Sequence, residues 1–198
     1  MTNHVPPKGG SYKRNVPRRI SVVSAFRRNL IAASALLAVL LLPTVGAQQA
    51  IQTPEQYFGF RMGTDNKLAR WDKIVEYFQQ LSGSSDRIRY RELGKSTNGN
   101  PFVALEISSP HTLKTLDRYK QLQRKLYFQG GAPTDSERDE IFRQGKAVVL
   151  VTTTIHATEI GASQMVVELV HRLATDNSPG IKKILDNVIF VLVPSLNP

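Results

Sequence analysis

Ala147-Val148-Val149-Leu150-Val151-Thr152-Thr153 is an almost unbroken run of apolar and β-branched residues. A strand with one wet face alternates apolar and polar positions; this run does not, so it predicts a strand buried on both faces. Downstream, Ala162, Met165, Val166, Leu169, Val170 and Leu173 recur at helical spacing and form the apolar stripe of an amphipathic helix. Ser178-Pro179 opens a short further helix, and Val188-Ile189-Phe190-Val191-Leu192-Val193 is a second apolar run. Strand, helix and strand in this order predict a right-handed βαβ unit within a parallel sheet. In such sheets ligands sit beyond the carboxyl ends of the strands. Two loops occupy that edge here, residues 154–159 and 194–198.

Outward toward the N-terminus the signals are local. Residues 48–66 read as an irregular lead-in, with Thr53-Pro54, Gly59 and Gly63-Thr64-Asp65. A helix is predicted from residue 67, with Leu68, Trp71, Ile74, Val75, Phe78 and Leu81 on a core-facing stripe and Gly83 as its stop. Residues 88–93 and 102–107 are β-rich and predict a hairpin with a long tip, Gly94-Lys95-Ser96-Thr97-Asn98-Gly99-Asn100-Pro101. Ser109-Pro110 opens a short helix, residues 116–128 form another, and Thr134 with Glu137 is a capping-box signature for a third, to about Arg143. The sum is an α/β fold with a mixed, largely parallel sheet flanked by helices.

Composition narrows the class. The 198 residues carry a net charge of +10, but seven of the 26 Lys/Arg and none of the 16 Asp/Glu lie in residues 1–47. From Gln48 onward 19 basic residues face 16 acidic ones, a balance of only +3. The basicity belongs to the leader, which removes the electrostatic case for a nucleic-acid partner. Cysteine is absent. That excludes a disulfide scaffold, a zinc ribbon and a thiol nucleophile.

The leader itself has a signal-peptide layout. Basic residues precede an uncharged run from Leu30 to Leu42, then Pro43 and Val45-Gly46-Ala47. That run is short of the roughly 20 apolar residues a membrane-spanning helix needs. Residues 1–47 are therefore expected to be a secretory signal cut after Ala47, giving a secreted or periplasmic protein without a stable membrane anchor. Arg27-Arg28 adds a weak twin-arginine look.

Chemistry concentrates in Thr154-Ile155-His156-Ala157-Thr158-Glu159. An imidazole and a carboxylate three residues apart, where the chain turns from strand to helix, are able to converge on one metal ion. Zinc suits such a pair, with a third protein ligand and a water completing a catalytic site. The plainer reading has His156 hydrogen-bonded in a loop and Glu159 favouring the helix N-terminus by its charge. No other histidine completes the set: His171 falls on the polar helix face with Gln164, Glu168, Arg172 and Thr175, His111 at a helix start, and His4 in the leader.

The stretch Thr152-Thr153-Thr154-Ile155-His156-Ala157-Thr158-Glu159-Ile160-Gly161-Ala162-Ser163 resembles the zinc carboxypeptidase family, the carboxypeptidase A-like metallopeptidases. So does Pro194-Ser195-Leu196-Asn197-Pro198, which is similar to the start of that family's Asn-Pro-Asp-Gly segment. The 94–101 tip is also similar, although arginine is commoner where Asn100 stands. The resemblance runs from about residue 54 to the end. It implies a three-layer carboxypeptidase-like fold, incomplete at the C-terminus, with residues 67–198 as the amino-terminal part of the catalytic domain. It also implies one zinc ion, with His156 and Glu159 as two of its ligands. The third ligand, the arginines that hold the substrate carboxylate and the general-base glutamate are expected downstream of Pro198. The implied reaction is hydrolysis of the C-terminal bond of a peptide or protein with a free C-terminus, and the chain as given is expected to be inert. Two other readings fit the same residues: an aspartoacylase-like zinc deacylase, and a non-catalytic exported binding domain.

Overall fold

The computed structural model describes Met1, Gly9 and residues 51–127 and 131–198. The predicted signal peptide and its cleavage point lie outside the described residues, as do the first residues of the lead-in and the end of the helix predicted over 116–128.

Four strands form one sheet in the order β1-β2-β4-β3, where β1 is Ile88–Lys95, β2 Pro101–Ile107, β3 Ala147–Thr152 and β4 Val188–Val193. β1 and β2 are the predicted hairpin, paired antiparallel from Ile88 with Ile107 to Lys95 with Pro101. Gly94 takes a φ of 138° where the register shifts, a conformation that disfavours any residue with a Cβ. β2 pairs antiparallel with β4, and β3 pairs parallel with β4 in unbroken register from Ala147–Val188 to Thr152–Val193. The sheet is mixed, and its one parallel pair among the described strands is the predicted βαβ unit.

Helices cover both faces. Leu105, Ile107, Phe190, Leu192 and Val151 point to one side and pack on Ile74, Phe78 and Leu81 of α2 (Trp71–Ser84) and Val166, Val167 and Val170 of α6 (Ile160–Thr175). Alternation sends Glu106, Ile189, Val191 and Val148 to the other side, beside Leu116 and Tyr119 of α4 (Leu116–Tyr127). α5 (Asp135–Gln144) lies against α4, and its N-terminus is closed by the predicted Thr134–Glu137 capping box. The short α3 (Pro110–Lys114) and α7 (Pro179–Asn187) start at the predicted Ser-Pro pairs, and the Ser178 side chain caps α7. The layers are three, as expected.

Several details differ from the sequence reading. The lead-in is not wholly irregular: Thr53 and Gln56 form a capping box for α1 (Pro54–Phe58), which Gly59 ends at a φ of 75°. α1 sets Tyr57 and Phe58 against Tyr77 with ring centroids 4.9 and 5.6 Å apart. α2 begins at Trp71 rather than residue 67, leaving Leu68 exposed, and it runs through Gly83 to Ser84. On α6, Met165 is exposed and Gln164 is buried. The Gln164 side chain accepts from the Ala69 amide (2.9 Å) and donates to the Ala69 carbonyl (3.2 Å), so the backbone of one residue satisfies both ends of the side-chain amide.

The largest departure is β3. It is an edge strand of the described sheet, as β1 is, and Val148 and Leu150 are 47% and 65% exposed. Apolar content shows what a strand is suited to touch; it does not supply a neighbour. The two inner strands have buried residues on both faces: Leu105 and Glu106 on β2, and Leu192 and Ile189 on β4.

Candidate metal site

Past its last ladder residue, the parallel pair is laced together by its loops. The Thr153 amide donates to the Val193 carbonyl (3.1 Å), and the Leu196 amide donates to the Thr153 carbonyl (2.9 Å). The Thr153 hydroxyl donates to the Pro194 carbonyl at 2.6 Å. The two loops expected at the carboxyl edge of the sheet are therefore joined there.

The chain then turns sharply. Thr154 has a φ of 53°, in the left-handed region that β-branched residues rarely occupy. Five residues on, the Glu159 amide donates to the His156 carbonyl (3.0 Å), closing the turn that leads into α6. The Glu159 carboxylate does not cap that helix. It folds back instead, accepting from the His156 amide at 3.1 Å and facing His156 Nδ1 at 2.8 Å. Both side chains open to solvent. The His156 imidazole, with its backbone N–H next in effect, holds the Glu159 carboxyl below the usual carboxylate range.

His156 and Glu159 are thus together, as their spacing predicts. One imidazole nitrogen and one carboxylate oxygen aimed at each other are a donor set that suits zinc once the proton between them is lost. Among the described residues no cluster of three or more His, Cys, Asp or Glu side chains is placed to hold a metal. The pair fits zinc as part of a ligand set.

The other two histidines among the described residues stand elsewhere. His111 is exposed on α3. His171 is half-buried on α6 and lines a separate cleft with Glu55, Arg61, Met62 and Glu168. Burial lowers the His171 pKa from its ordinary value, and the neighbouring Glu168 only partly opposes this. The folded chain consequently holds this proton less firmly than the unfolded chain, so stability rises with pH. This contribution is complete above the ordinary histidine value, and it is lost as pH falls from there through the lowered folded-state value. Urea midpoints are expected to drop between pH 7.5 and pH 5, and His171→Gln to flatten that drop. An equal drop in the variant would remove His171 as the cause.

An imidazole and a carboxylate thus face each other at the carboxyl edge of an α/β sheet, the edge at which ligands of such sheets bind. The family model described as zinc carboxypeptidase matches residues 74–198, and the chain belongs to that family. Among solved structures, the chain is similar to carboxypeptidase A from Helicoverpa armigera, at 18% identity over 87% of this chain and 32% of that one, with a TM-score of 0.48. A metallo-carboxypeptidase from Burkholderia cenocepacia is similar at 24% identity over 66% of this chain and 28% of that one, with a TM-score of 0.45. The chain spans about a third of the length of these structures. Comparison with curated proteins gives no match.

Sequence reasoning missed the hydroxyl contacts beneath the loop. Thr154 Oγ1 lies against Ser163 Oγ, and Ser163 Oγ lies 2.9 Å from the Pro194 carbonyl. Partners 9 and 31 residues apart leave no periodic signal.

Proposed function

We propose that this chain is the amino-terminal part of an exported zinc metallocarboxypeptidase, which hydrolyses the C-terminal bond of peptide or protein substrates. The observation that carries the reading is the His156–Glu159 pair, 2.8 Å apart at the carboxyl edge of β3, inside the matched family segment. When bound, zinc supplies the Lewis acidity for hydrolysis. His156 and Glu159 hold it. The imidazole keeps the carboxylate ionised, and the open face of the pair leaves room for further ligands and substrate. The third ligand, the substrate-carboxylate clamp and the general base come from downstream of Pro198, and export rests on the leader composition.

In a protein extended beyond Pro198, His156→Ala and Glu159→Ala are each expected to remove bound zinc and peptidase activity together, while His171→Ala keeps both. Metal analysis and assay of peptides with free and amidated C-termini read this directly. Full zinc stoichiometry in the His156→Ala protein would overturn the assignment.

A further inference from the structure

Thr154 is held in a backbone conformation that its own side chain disfavours, two residues before His156. Strain of this kind persists only where surrounding contacts over-determine it. Here the contacts are buried hydroxyls. Thr154 Oγ1 lies 3.2 Å from the Glu159 carbonyl and within hydrogen-bond reach of Ser163 Oγ; Ser163 Oγ lies 2.9 Å from the Pro194 carbonyl. Both residues are buried.

Each hydroxyl has one proton, and the close Thr154–Ser163 contact requires one proton between the two oxygens. Two arrangements meet this: Thr154 donates to Ser163 Oγ and Ser163 to the Pro194 carbonyl, or Ser163 donates to Thr154 Oγ1 and Thr154 to the Glu159 carbonyl. In both, the Pro194 carbonyl accepts from the Thr153 hydroxyl at 2.6 Å. The relay thereby ties the left-handed turn, the first turn of α6 and the 194–198 loop into one unit. His156 and Glu159 both lie between Thr154 and Ser163, within that unit.

We propose that Thr154 and Ser163 are positioning residues for the His156–Glu159 pair, fixing through their hydroxyl relay the turn that aims both side chains at one point. The consequence for metal binding rests on the zinc reading above; the positioning itself does not. Groups that orient metal ligands are commonly worth 10–100-fold in metal affinity.

The test uses a protein extended beyond Pro198 and two readouts. In zinc-free protein, ring ¹⁵N spectra of His156 report whether one tautomer is fixed by the Glu159 carboxylate. Zinc titration against a competing chelator reports affinity. Thr154→Ser, which keeps the hydroxyl, is expected to preserve the ring pattern and the affinity. Thr154→Val and Ser163→Ala, which break the relay, are expected to lose the fixed tautomer and to bind zinc about tenfold or more weakly. Thr154→Gly relieves the backbone strain and so folds even where the valine variant fails; it is expected to lose the ring pattern too. Wild-type ring patterns and affinities within twofold in both Ser163→Ala and Thr154→Gly would overturn the proposal. A fixed tautomer in the parent chain without zinc binding would support the positioning role and sink the zinc reading instead.

Discussion

The 198-residue chain, supplied with zinc, is expected to cleave peptides with a free C-terminus at least about a thousandfold more slowly than a protein extended beyond Pro198. A positioned general base alone contributes roughly 10²–10⁴-fold, and a catalytic zinc site needs three protein ligands to hold its metal firmly. Among the described residues His156 and Glu159 are the pair that meets, without a third metal-binding partner. Glu106, the buried acid of β2, is not a spare base: it is engaged by Arg91 at 2.9 Å and Lys120 at 3.6 Å. Steady-state assay of the two proteins side by side decides the matter. Comparable turnover, abolished by Glu159→Ala, would show that the site is complete within these residues.

Phe78→Ala is expected to cost about 3–5 kcal/mol of folding free energy, from lost burial plus the cavity left behind. Phe78 is fully buried on α2, in the cluster with Leu105 and Leu192 at the middle of the sheet. A typical domain has only about 5–15 kcal/mol in total, so the variant should be partly unfolded at room temperature or show a sharply lowered urea midpoint. Phe142→Ala is the matched control. Phe142 is 67% exposed on α5, and its loss should move stability by less than about 1 kcal/mol. Equal midpoints for the two variants would contradict this placement of the core.

What the sequence makes legible here is what neighbours in the chain decide. The hairpin, the Thr134–Glu137 box, the Ser178 cap and the β3-to-β4 crossover are all set by spacing within a few residues or by one long apolar run. Thr53-Pro54-Glu55-Gln56 carries the same kind of signal, a capping box with proline at the first helical position, yet α1 has only five residues and a glycine behind it. The misses are tertiary. Gln164 looks like a surface residue until Ala69, 95 positions away, meets both ends of its amide. The exposure of β3 depends on which strands lie beside it, and that is a property of sheet order. At the candidate site the His-x-x-Glu spacing shows the two ligands, whereas the turn that aims them depends on hydroxyls the fold alone brings together.

The open flank of β3 bears on how the molecule assembles. The β1–β2 hairpin closes across a tip of a few residues and forms from local contacts. β3 must wait until α6 and α7 have been laid down and β4 returns beside it, a far longer search. The last strand to be captured is thus a largely apolar one, and among the described residues no strand pairs with its outer edge. During that interval another molecule competes with β4 for the same strand. Capture by β4 is first order in protein and capture by a second molecule is second order. Refolding yield should therefore be governed by protein concentration, with dilution favouring the native sheet.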